Sequence, residues 1–448
     1  MKGREEGVFL DENWVVGRYA KVKNVYDVFM ERGFVEQATD DEAISQLLDR
    51  HEITCYIGFD PTATSLHIGS LVPIMALAHV QRHGHRPIAL IGGGTGLIGD
   101  PSGKTEMRQV LTRQQIDYNA QCLQQQLSRY LDFGEGKALL LNNADWLTKL
   151  NYIEFLRDIG RHFSVNKMLA AESYKIRLEK GLNFIEFNYM LLQAYDFLYL
   201  FKNHDCVMQM GGNDQWGNML AGSDLIRRME GKTAHSMTFP LITTSTGHKM
   251  GKTEKGTVWL DARLTSPYEY YQHWINTEDE DVERFLALFT FLPIEEIRQV
   301  RGLTDVRLNM AKAVLAFEAT SITHGEEAAA DAWQASSRAF QPKPVAEGLF
   351  PSSAIPRKEI SDDISAIPSL EKTRAAFEKG IPAYELLHET GLCFSRGEAR
   401  RLIEQGGAYI NDVQVVSFDE KIDMHHTDAL GMIRLRKGKK KHFLVIVK

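Results

Sequence analysis

The hydrophobic and polar positions in the first part of the chain predict a strand, a helix and a second strand. An apolar run over 53–59 ends at Asp60 and Pro61, which is typical of a buried strand that runs into a turn. Apolar residues at helical spacing follow over 71–80, and a short apolar strand follows over 87–91. This pattern, with glycines at the strands' carboxyl ends, indicates an α/β fold with a doubly wound parallel, Rossmann-like sheet. Such sheets bind ligands in the crevice beyond their strand ends.

The rest of the chain is mostly helical until a small α/β segment at its end. Its 448 residues are enough for roughly three domains. Five of the 13 prolines fall in 342–368 and indicate a linker. The predicted organisation is an N-terminal arm (1–24), a Rossmann-like domain (25–248) with a helical insertion at about 107–203, a lysine-rich loop and helical domain (249–341), a linker (342–380) and a small α/β module (381–448).

The stretch 56–70, YIGFDPTATSLHIGS, predicts an anion site where the first strand leads into its helix. Unpaired N–H groups and the positive end of the helix dipole favour a phosphate there. Gly69 leaves the backbone bare for a flat ligand, and Thr62 and His67 add hydrogen-bond donors. The same residues are also compatible with a turn whose glycines only permit tight packing.

Two glycine-rich loops come close to known nucleotide motifs without completing them. Residues 94–99 fit G-x-G-x-x-G, but Asp100 and Pro101 follow at once and break the helix that a dinucleotide fingerprint requires. A P-loop would need glycine at position 98, where Ile98 stands, and 247–253 misses that pattern by one residue. The sequence therefore predicts neither motif.

Two further segments offer polar groups that a ligand could use. Tyr189, Gln193 and Asp196 are spaced four and then three apart, which places them on one face of a largely apolar helix. Buried polar groups need partners, so this row is either a ligand site or a solvated stripe. The loop 243–255, with three lysines between glycines and threonines, suits a mobile phosphate clamp or a solvated basic loop.

Composition and charge narrow the classes of protein. A net charge of −7 argues against general nucleic-acid binding, although 434–441 carries six cations and no acid, which indicates local contact with RNA or a solvated charge run. The four cysteines are scattered, so a zinc site or a disulfide framework is not expected. The start MKGREEG lacks an apolar signal core, and the sequence predicts a cytoplasmic protein.

Several segments together resemble one family. The stretch 56–70 and KMGKT at 249–253 resemble the two signatures of class I aminoacyl-tRNA synthetases. Four other segments resemble the bacterial-type tyrosyl-tRNA synthetases: GGGTGLIGDPSGK at 92–104, NYMLLQAYDF at 188–197, MGGNDQWGN at 210–218 and SPYEYYQHWIN at 266–276. The C-terminal segment is similar to a small RNA-binding module shared with a ribosomal small-subunit protein. The resemblance extends over nearly all of 25–448.

The resemblance implies a two-step reaction without a protein nucleophile. L-Tyrosine and ATP give tyrosyl-adenylate and pyrophosphate, and the tyrosyl group then passes to the 3′-terminal ribose of tRNA(Tyr). It also implies Mg²⁺ with the ATP, no protein-bound metal cofactor, and a homodimer. Two positions depart from the family pattern: Ser70 stands where a second histidine is usual, and Ile57 where many relatives carry a cysteine.

The resemblance also assigns the site residues. It implies that tyrosine is bound by Tyr56, Asp100, Tyr189, Gln193, Asp196, Gln209 and Gln215. It implies that ATP is bound by Gly58, Asp60, His67, Gly69, Ser70, Asp214 and Lys252. The catalytic contacts to the phosphates would come from Thr62, His67, Lys104, Arg108, Lys249, Lys252 and Thr253.

Three alternatives stay open at this stage. A nicotinamide-dependent oxidoreductase would rest on 94–99, and an RNA-binding protein without catalysis would rest on the C-terminal module. Within the class, tryptophan activation is the nearest rival, because it differs only in whether the pocket hydrogen-bonds a phenol.

Overall fold

The computed structural model describes most of the chain. The described residues are 24–50, 52–102, 111–171, 174, 178–179, 181–245, 247, 250, 252–253, 256–340, 344–357, 368–411, 413–428, 431–438 and 441–448, with only the backbone at 252, 253, 339 and 340. Within these residues every helix is too short or too polar to cross a membrane.

A six-stranded sheet forms the centre of the first part of the chain. Its strands are β1 (Gln37–Ala38), β2 (Thr54–Phe59), β3 (Arg86–Ile91), β4 (Leu139–Asn142), β5 (Cys206–Gly212) and β6 (His235–Phe239), in the order β1-β6-β5-β2-β3-β4. All pairings are parallel except that of β1 with β6. The chain builds outward from β2 to β4 and then returns to the other side of β2 as β5. This reversal opens a crevice at the carboxyl ends of β2 and β5, and the predicted doubly wound sheet is confirmed.

Helices cover both faces of this sheet. They are α1 (Val25–Arg32), α2 (Asp41–Arg50), α3 (Leu71–Arg82), α4 (Arg113–Leu127), α5 (Ala144–Leu147), α6 (Tyr152–Asp158), α7 (Val165–Leu169), α8 (Phe184–His204) and α9 (Trp216–Glu230). Helix α3 is almost wholly buried. Thr112 is the N-cap of α4 and forms a capping box with Gln115. A Cβ at Gly222 of α9 would lie 3.0 Å from the Phe197 ring of α8, so glycine is needed where these helices approach.

The sequence predicted a helical insertion at about 107–203. The structure corrects this prediction, because the segment also contains strand β4, which pairs with β3. Its sequence is LLLN, which shows neither helical nor strand periodicity. Pairing with the edge of the sheet decides its conformation, and a local pattern could not reveal that.

A helical domain follows the short hairpin of β7 (Lys252–Thr253) and β8 (Gly256–Thr257). Its helices are α10 (Pro267–Ile275), α11 (Val282–Phe289), α12 (Ile294–Arg298), α13 (Asp305–His324) and α14 (Glu326–Phe340). Its apolar core is continuous with that of the sheet domain. The buried Arg32 guanidinium strengthens this junction by donating hydrogen bonds to the carbonyl oxygens of Ala287, at 2.9 Å, and Thr290, at 3.0 Å.

The C-terminal module has its own core and a five-stranded sheet. Its elements are β9 (Ser369–Lys372), α15 (Arg374–Glu378), β10 (Ile381–Pro382), α16 (Ala383–Glu389), α17 (Arg396–Glu404), β11 (Ala408–Ile410), β12 (Val413–Gln414), β13 (Lys421–Ile422), β14 (Met432–Lys437) and β15 (Lys441–Val447). The main sheet has the order β12-β11-β14-β15-β9. Met432 and Leu444 on this sheet pack against Tyr268 and Ala335 of the helical domain.

The segment 342–380, interpreted from its prolines as a linker, contains two packed pieces. Residues 344–357 form a strap whose buried Leu349 and Phe350 join the core of the helical domain. The carboxylate of Glu318 accepts a hydrogen bond from the Ser353 hydroxyl at 2.6 Å and so fastens the strap. Strand β9 then pairs with β15, so the module includes residues before 381. In 344–357 the prolines mark irregular backbone that is nonetheless packed against the helical domain.

Candidate active site

A cavity of about 390 Å³ lies at the carboxyl ends of β2 and β5, where the sheet topology places a ligand site. Every predicted site residue whose side chain, or glycine backbone, the structure describes lines this cavity: Tyr56, Gly58, Asp60, Thr62, His67, Gly69, Ser70, Asp100, Tyr189, Gln193, Asp196, Gln209, Asp214 and Gln215. Lys104, Arg108 and Lys249 lie outside the described residues, and Lys252 and Thr253 are described by their backbone alone. The roles assigned to all these residues stay predictions.

The floor of the cavity holds one aromatic and one acidic side chain, and both are shielded from solvent. Tyr56 is 1% exposed, and Asp196 is 2% exposed. The Asp196 carboxylate accepts hydrogen bonds from Asn143 Nδ2 at 2.8 Å and from the Trp146 indole N–H at 2.7 Å. The Trp146 ring in turn stacks on Tyr199, with 4.2 Å between centroids. Asp196 is therefore held in one orientation by two donors.

Two buried polar atoms at this floor make no hydrogen bond within the described part of the chain. They are the Tyr56 hydroxyl and Gln209 Oε1. Such atoms cost free energy unless a ligand or water completes them. Burial, followed by the charge of Asp196, raises the pKa of Tyr56 well above its ordinary value, so its hydroxyl stays protonated. The floor can thus both donate to and accept from a polar ligand group.

Beside the floor, polar side chains surround the carboxylates of Asp60 and Asp100. Asp60 accepts hydrogen bonds from the hydroxyls of Thr95, at 2.8 Å, and Tyr189, at 3.0 Å. Asp100 accepts a hydrogen bond from Gln215 Nε2 at 2.7 Å. Two carboxylates that line the same cavity make this part of it suitable for a cation such as an ammonium group. Asp60, which the resemblance assigns to the ATP site, thus contacts Tyr189, which it assigns to the tyrosine site.

The glycine-rich loop after β3 forms only a short 3-10 turn at Thr95–Leu97 and opens no α-helix in its described part. A Cβ at Gly92 would lie 2.0 Å from Asp60 Oδ1, so this glycine allows the loop to approach the carboxylate. The Gly94 N–H donates to Asn143 Oδ1 at 2.7 Å. These contacts agree with the prediction that 94–99 is not a dinucleotide fingerprint.

The mouth of the cavity is formed by the start of α3. Thr62, His67 and Gly69 are exposed there, and a Cβ at Gly58 would meet no atom within 4 Å, so its backbone faces open space. A Cβ at Gly69 would lie 2.8 Å from the His67 ring and 3.2 Å from the Met250 carbonyl oxygen. Gly69 is therefore required by the protein's own packing, in addition to the ligand access that the sequence predicted.

Backbone hydrogen bonds join the mouth to the segment after the lysine-rich loop. The N–H of Ile68 donates to the Val258 carbonyl at 3.0 Å, and that of Leu260 donates to the Leu66 carbonyl at 2.9 Å. The intervening Trp259 places its ring 6.3 Å from the His67 ring, between centroids. Residues 66–68 of the first signature-like stretch are therefore bonded to 258–260, which follow the second signature-like segment in the sequence.

Comparisons with known proteins agree with this geometry. The model of the tRNA synthetases class I (W and Y) matches residues 48–341, and that of the tyrosine–tRNA ligase SYY-like C-terminal domain matches 359–445. The tyrosine–tRNA ligase of Syntrophus aciditrophicus (strain SB) is 71% identical over 426 residues, which cover 95% of this chain and 99% of that protein. This chain belongs to the tyrosine–tRNA ligase family. The ligase of Desulfosudis oleivorans is 57% identical over 430 residues, covering 95% of this chain and 99% of that protein.

Solved structures of the family have the same fold. A C-terminally truncated mitochondrial tyrosyl-tRNA synthetase of Aspergillus nidulans superposes with a TM-score of 0.64 at 30% identity, covering 71% of this chain and 94% of that one. A tryptophanyl-tRNA synthetase from Encephalitozoon cuniculi, bound to tryptophan, has a TM-score of 0.51 at 13% identity and covers 68% of this chain and 88% of that one. Tyrosyl- and tryptophanyl-tRNA synthetases therefore share this fold.

Sequence reasoning missed four residues of this family site. They are Thr95, Asn143, Trp146 and Trp259, all of which line the cavity or bond to its acids. Asn143 and Trp146 reach Asp196 across about fifty positions of sequence. Local spacing carries no signal for such contacts.

The ionisation of Asp196 gives a testable pH dependence. Burial raises the pKa of this carboxyl from 3.8 to about 7, more than its two hydrogen bonds lower it. Between these values the folded protein holds a proton that the unfolded chain has released, so the free energy of unfolding of the ligand-free protein falls as pH rises from about 4 to 7. We expect Asp196→Asn to remove this part of the slope in urea unfolding measured across that range.

The exposed Asp145, on the neighbouring helix α5, supplies the control. Asp145→Asn should leave the slope as it is in the unchanged protein. If Asp196→Asn gave the same pH profile as this control, Asp196 would titrate normally in the folded state.

Proposed function

We propose that this chain is a tyrosine–tRNA ligase whose active site is the cavity at the ends of β2 and β5. It activates L-tyrosine with ATP to tyrosyl-adenylate and pyrophosphate, and it then transfers the tyrosyl group to the 3′-terminal ribose of tRNA(Tyr). The observation that carries this proposal is the buried floor. There the Tyr56 hydroxyl, which has no hydrogen-bond partner among the described residues, lies near the Asp196 carboxylate that Asn143 and Trp146 hold. A phenol at this position would satisfy both groups.

The amino acid would occupy the inner half of the cavity. Its phenol would hydrogen-bond to Tyr56 and Asp196, and its ammonium group would lie among Tyr189, Gln193 and Asp100. Asn218 Nδ2 donates to Gln193 Oε1 at 3.0 Å, which fixes the amide that faces the ligand. Preformed hydrogen bonds of this kind reduce the entropy lost on binding.

ATP, as its magnesium complex, would occupy the outer half. The bare backbone of Gly58 and the carboxylate of Asp214 would adjoin the nucleoside, and Thr62 and His67 would contact the phosphates. The described residues contain no group of three or more His, Cys, Asp or Glu side chains that could hold a metal ion. The phosphates and water would therefore supply most ligands of the Mg²⁺ that arrives with ATP.

The chemistry needs no covalent intermediate with the protein. The tyrosine carboxylate attacks the α-phosphate, a new phosphorus–oxygen bond forms, and the bond to pyrophosphate breaks. The protein contributes by holding the two reactants in line and by placing cations where negative charge develops. We assign the cationic contacts to Lys104, Arg108, Lys249 and Lys252, and further contacts to the phosphates to Thr62, His67 and Thr253.

Formation of the adenylate in a single turnover tests this function directly. Enzyme mixed with ATP and tyrosine should release about one equivalent of pyrophosphate per functional site and retain the adenylate. Failure to release pyrophosphate in the presence of tyrosine would contradict the proposal.

The C-terminal module would bind the tRNA. Its exposed Arg400, Arg401 and Arg434 can contact phosphates, whereas Lys437 of the basic run pairs with Glu398 within the module. A chain truncated after Arg357 keeps the strap of 344–357 and loses only the module. We expect it to retain tyrosine-dependent pyrophosphate exchange and to lose about 10-fold or more in tRNA charging, with a less steep salt dependence of tRNA affinity.

A second truncation, after residue 341, controls for the strap. It removes the burial of Phe350 and should lower thermal stability, in contrast to truncation after Arg357. A folded chain ending at Arg357 that charges tRNA normally would contradict RNA binding by the module.

We also propose a homodimer in the cytoplasm. Large apolar side chains are exposed on the insertion, with Ile153 at 70% and Phe184 at 67%, and a second copy would cover them. Sedimentation equilibrium would contradict the dimer if it gave the mass of a single chain.

All four cysteines are free and buried, which supports a reducing compartment such as the cytoplasm. Cell fractionation that finds the protein elsewhere would contradict the cytoplasmic assignment.

A further inference from the structure

The last turn of α4 contacts the segment that carries Thr62 and His67. Its Gln126 side chain is buried, at 7% exposure. Gln126 Nε2 donates to the Thr64 carbonyl at 3.2 Å, while Gln126 Oε1 accepts from the Leu66 N–H at 2.9 Å and from the Ser65 hydroxyl at 3.3 Å. One amide thus bonds to three consecutive residues of an irregular segment. A segment without regular structure depends on such side-chain contacts for its conformation.

The helix that carries Gln126 is itself held firmly. Arg129, just beyond the helix end, donates to the Thr323 carbonyl at 3.0 Å, and the Tyr130 hydroxyl donates to the Thr323 hydroxyl at 3.0 Å. Leu123 and Leu127 of the same turns are buried in the core. Gln126 therefore extends from a rigid support that is bonded to the helical domain.

The same segment is bonded from its other side to the residues that follow the lysine-rich loop. The Asp261 N–H donates to the Ser65 hydroxyl at 3.1 Å, and the Leu260 N–H donates to the Leu66 carbonyl at 2.9 Å. Thr62 precedes this doubly held piece by a few residues, and His67 follows it directly. A shift of 64–66 would therefore displace both side chains that we assign to the ATP phosphates.

We propose that Gln126 is a positioning residue for ATP, acting through Thr62 and His67. The inference rests on the proposed function, because it takes the assignment of these two residues to the phosphates from there. Gln126 is not among the described residues that line the cavity, so it acts without touching substrate. Misplacement of a catalytic contact by about 1 Å costs on the order of 100-fold in rate. Loss of the amide should therefore affect the ATP half of the site and spare the tyrosine half.

Gln126→Leu removes all three hydrogen bonds at similar side-chain volume, and Gln125→Leu makes the same change at the exposed neighbouring position. We expect Gln126→Leu to lower kcat/KM for ATP in tyrosine-dependent pyrophosphate exchange by about 10-fold to 100-fold. The Kd for tyrosine, measured without ATP, should remain within about twofold of the parent value, a change of only ~0.4 kcal/mol. Gln125→Leu should change neither value.

Rates are expressed per functional site, titrated by the pyrophosphate burst, so that partial misfolding does not imitate the effect. Gln126→Glu is the second variant, because its carboxylate can still accept from the Leu66 N–H while losing the donor to Thr64. It should lose less than Gln126→Leu. Equal losses in tyrosine affinity and in kcat/KM for ATP, or no loss in either variant, would overturn the proposal.

A double-variant test separates this proposal from the proposed function. In a chain that already carries Thr62→Ala and His67→Ala, Gln126→Leu should cost at most a few-fold further, because it acts through the residues already removed. An undiminished loss in that background would overturn the positioning role. If Thr62→Ala with His67→Ala left kcat/KM for ATP unchanged, the assignment of these two residues to ATP would fail instead.

Discussion

Replacing Lys252 by alanine is expected to slow tyrosyl-adenylate formation by about 100-fold or more and to leave the Kd for tyrosine unchanged. The backbone of Lys252 lies in β7, in the segment that leads from Met250 to the strand-like pairing with Leu66 and Ile68. Its assigned role is to stabilise the negative charge that develops as pyrophosphate departs. An interaction made mainly in the transition state raises the rate without tightening ground-state binding. The phenol is assigned to Tyr56 and Asp196, so loss of the Lys252 amine should not alter the affinity for tyrosine.

Stopped-flow measurement of adenylate formation, with tyrosine affinity determined separately, gives both quantities. Lys149→Ala, which removes an exposed lysine outside the cavity, controls for the change in net charge. Equal losses in tyrosine binding and in rate for Lys252→Ala would mean that the loop has a structural role instead.

Removing either polar group of the pocket floor should sharply reduce discrimination between tyrosine and phenylalanine. A site built to hydrogen-bond a hydroxyl rejects the analogue that lacks it, because its own buried groups are then left unpaired. Tyrosyl-tRNA synthetases are the standard example of this effect, with a discrimination of about 10⁵, so this magnitude is taken from the family. We assign the effect to two groups: Tyr56, whose hydroxyl has no hydrogen-bond partner among the described residues, and Asp196, which Asn143 and Trp146 hold in place.

The ratio of kcat/KM for tyrosine to that for phenylalanine is the measurement. We expect Tyr56→Phe and Asp196→Asn each to lower it by at least about 10-fold, mainly through weaker use of tyrosine. Tyr195→Phe, on the next residue of α8, supplies a control, since Tyr195 packs against Phe155 outside the cavity lining. An unchanged ratio in both floor variants would show that other residues recognise the phenol.

The sequence was sufficient where the determinants are local. The apolar run before Asp60 predicted β2, and the four-and-three spacing of Tyr189, Gln193 and Asp196 placed a polar row on one helix face; all three line the cavity. Their functional assignment came from family resemblance, because spacing alone left a solvated stripe equally open. The roles of Lys104, Arg108 and Lys249 stay predictions.

The sequence was insufficient where contacts join distant segments. Asn143 and Trp146 reach Asp196, and Gln126 reaches Leu66, only because the sheet and its helices bring them together. Strand β4 and strand β9 depend likewise on pairing with an existing strand edge. The strap of 344–357 was interpreted as a linker because proline marks irregular backbone equally well whether that backbone is packed or free.

Amino-acid-dependent pyrophosphate exchange with tyrosine, tryptophan and phenylalanine tests directly whether the cavity selects tyrosine. The fold is shared with a tryptophanyl-tRNA synthetase, so the fold alone does not determine the amino acid. With ATP and labelled pyrophosphate, we expect exchange with tyrosine. The kcat/KM for phenylalanine should be lower by several orders of magnitude, and tryptophan should be inactive at the same concentrations. Exchange with tryptophan at a rate equal to or above that with tyrosine would contradict the assignment of Tyr56 and Asp196 to a phenol and, with it, the proposed function.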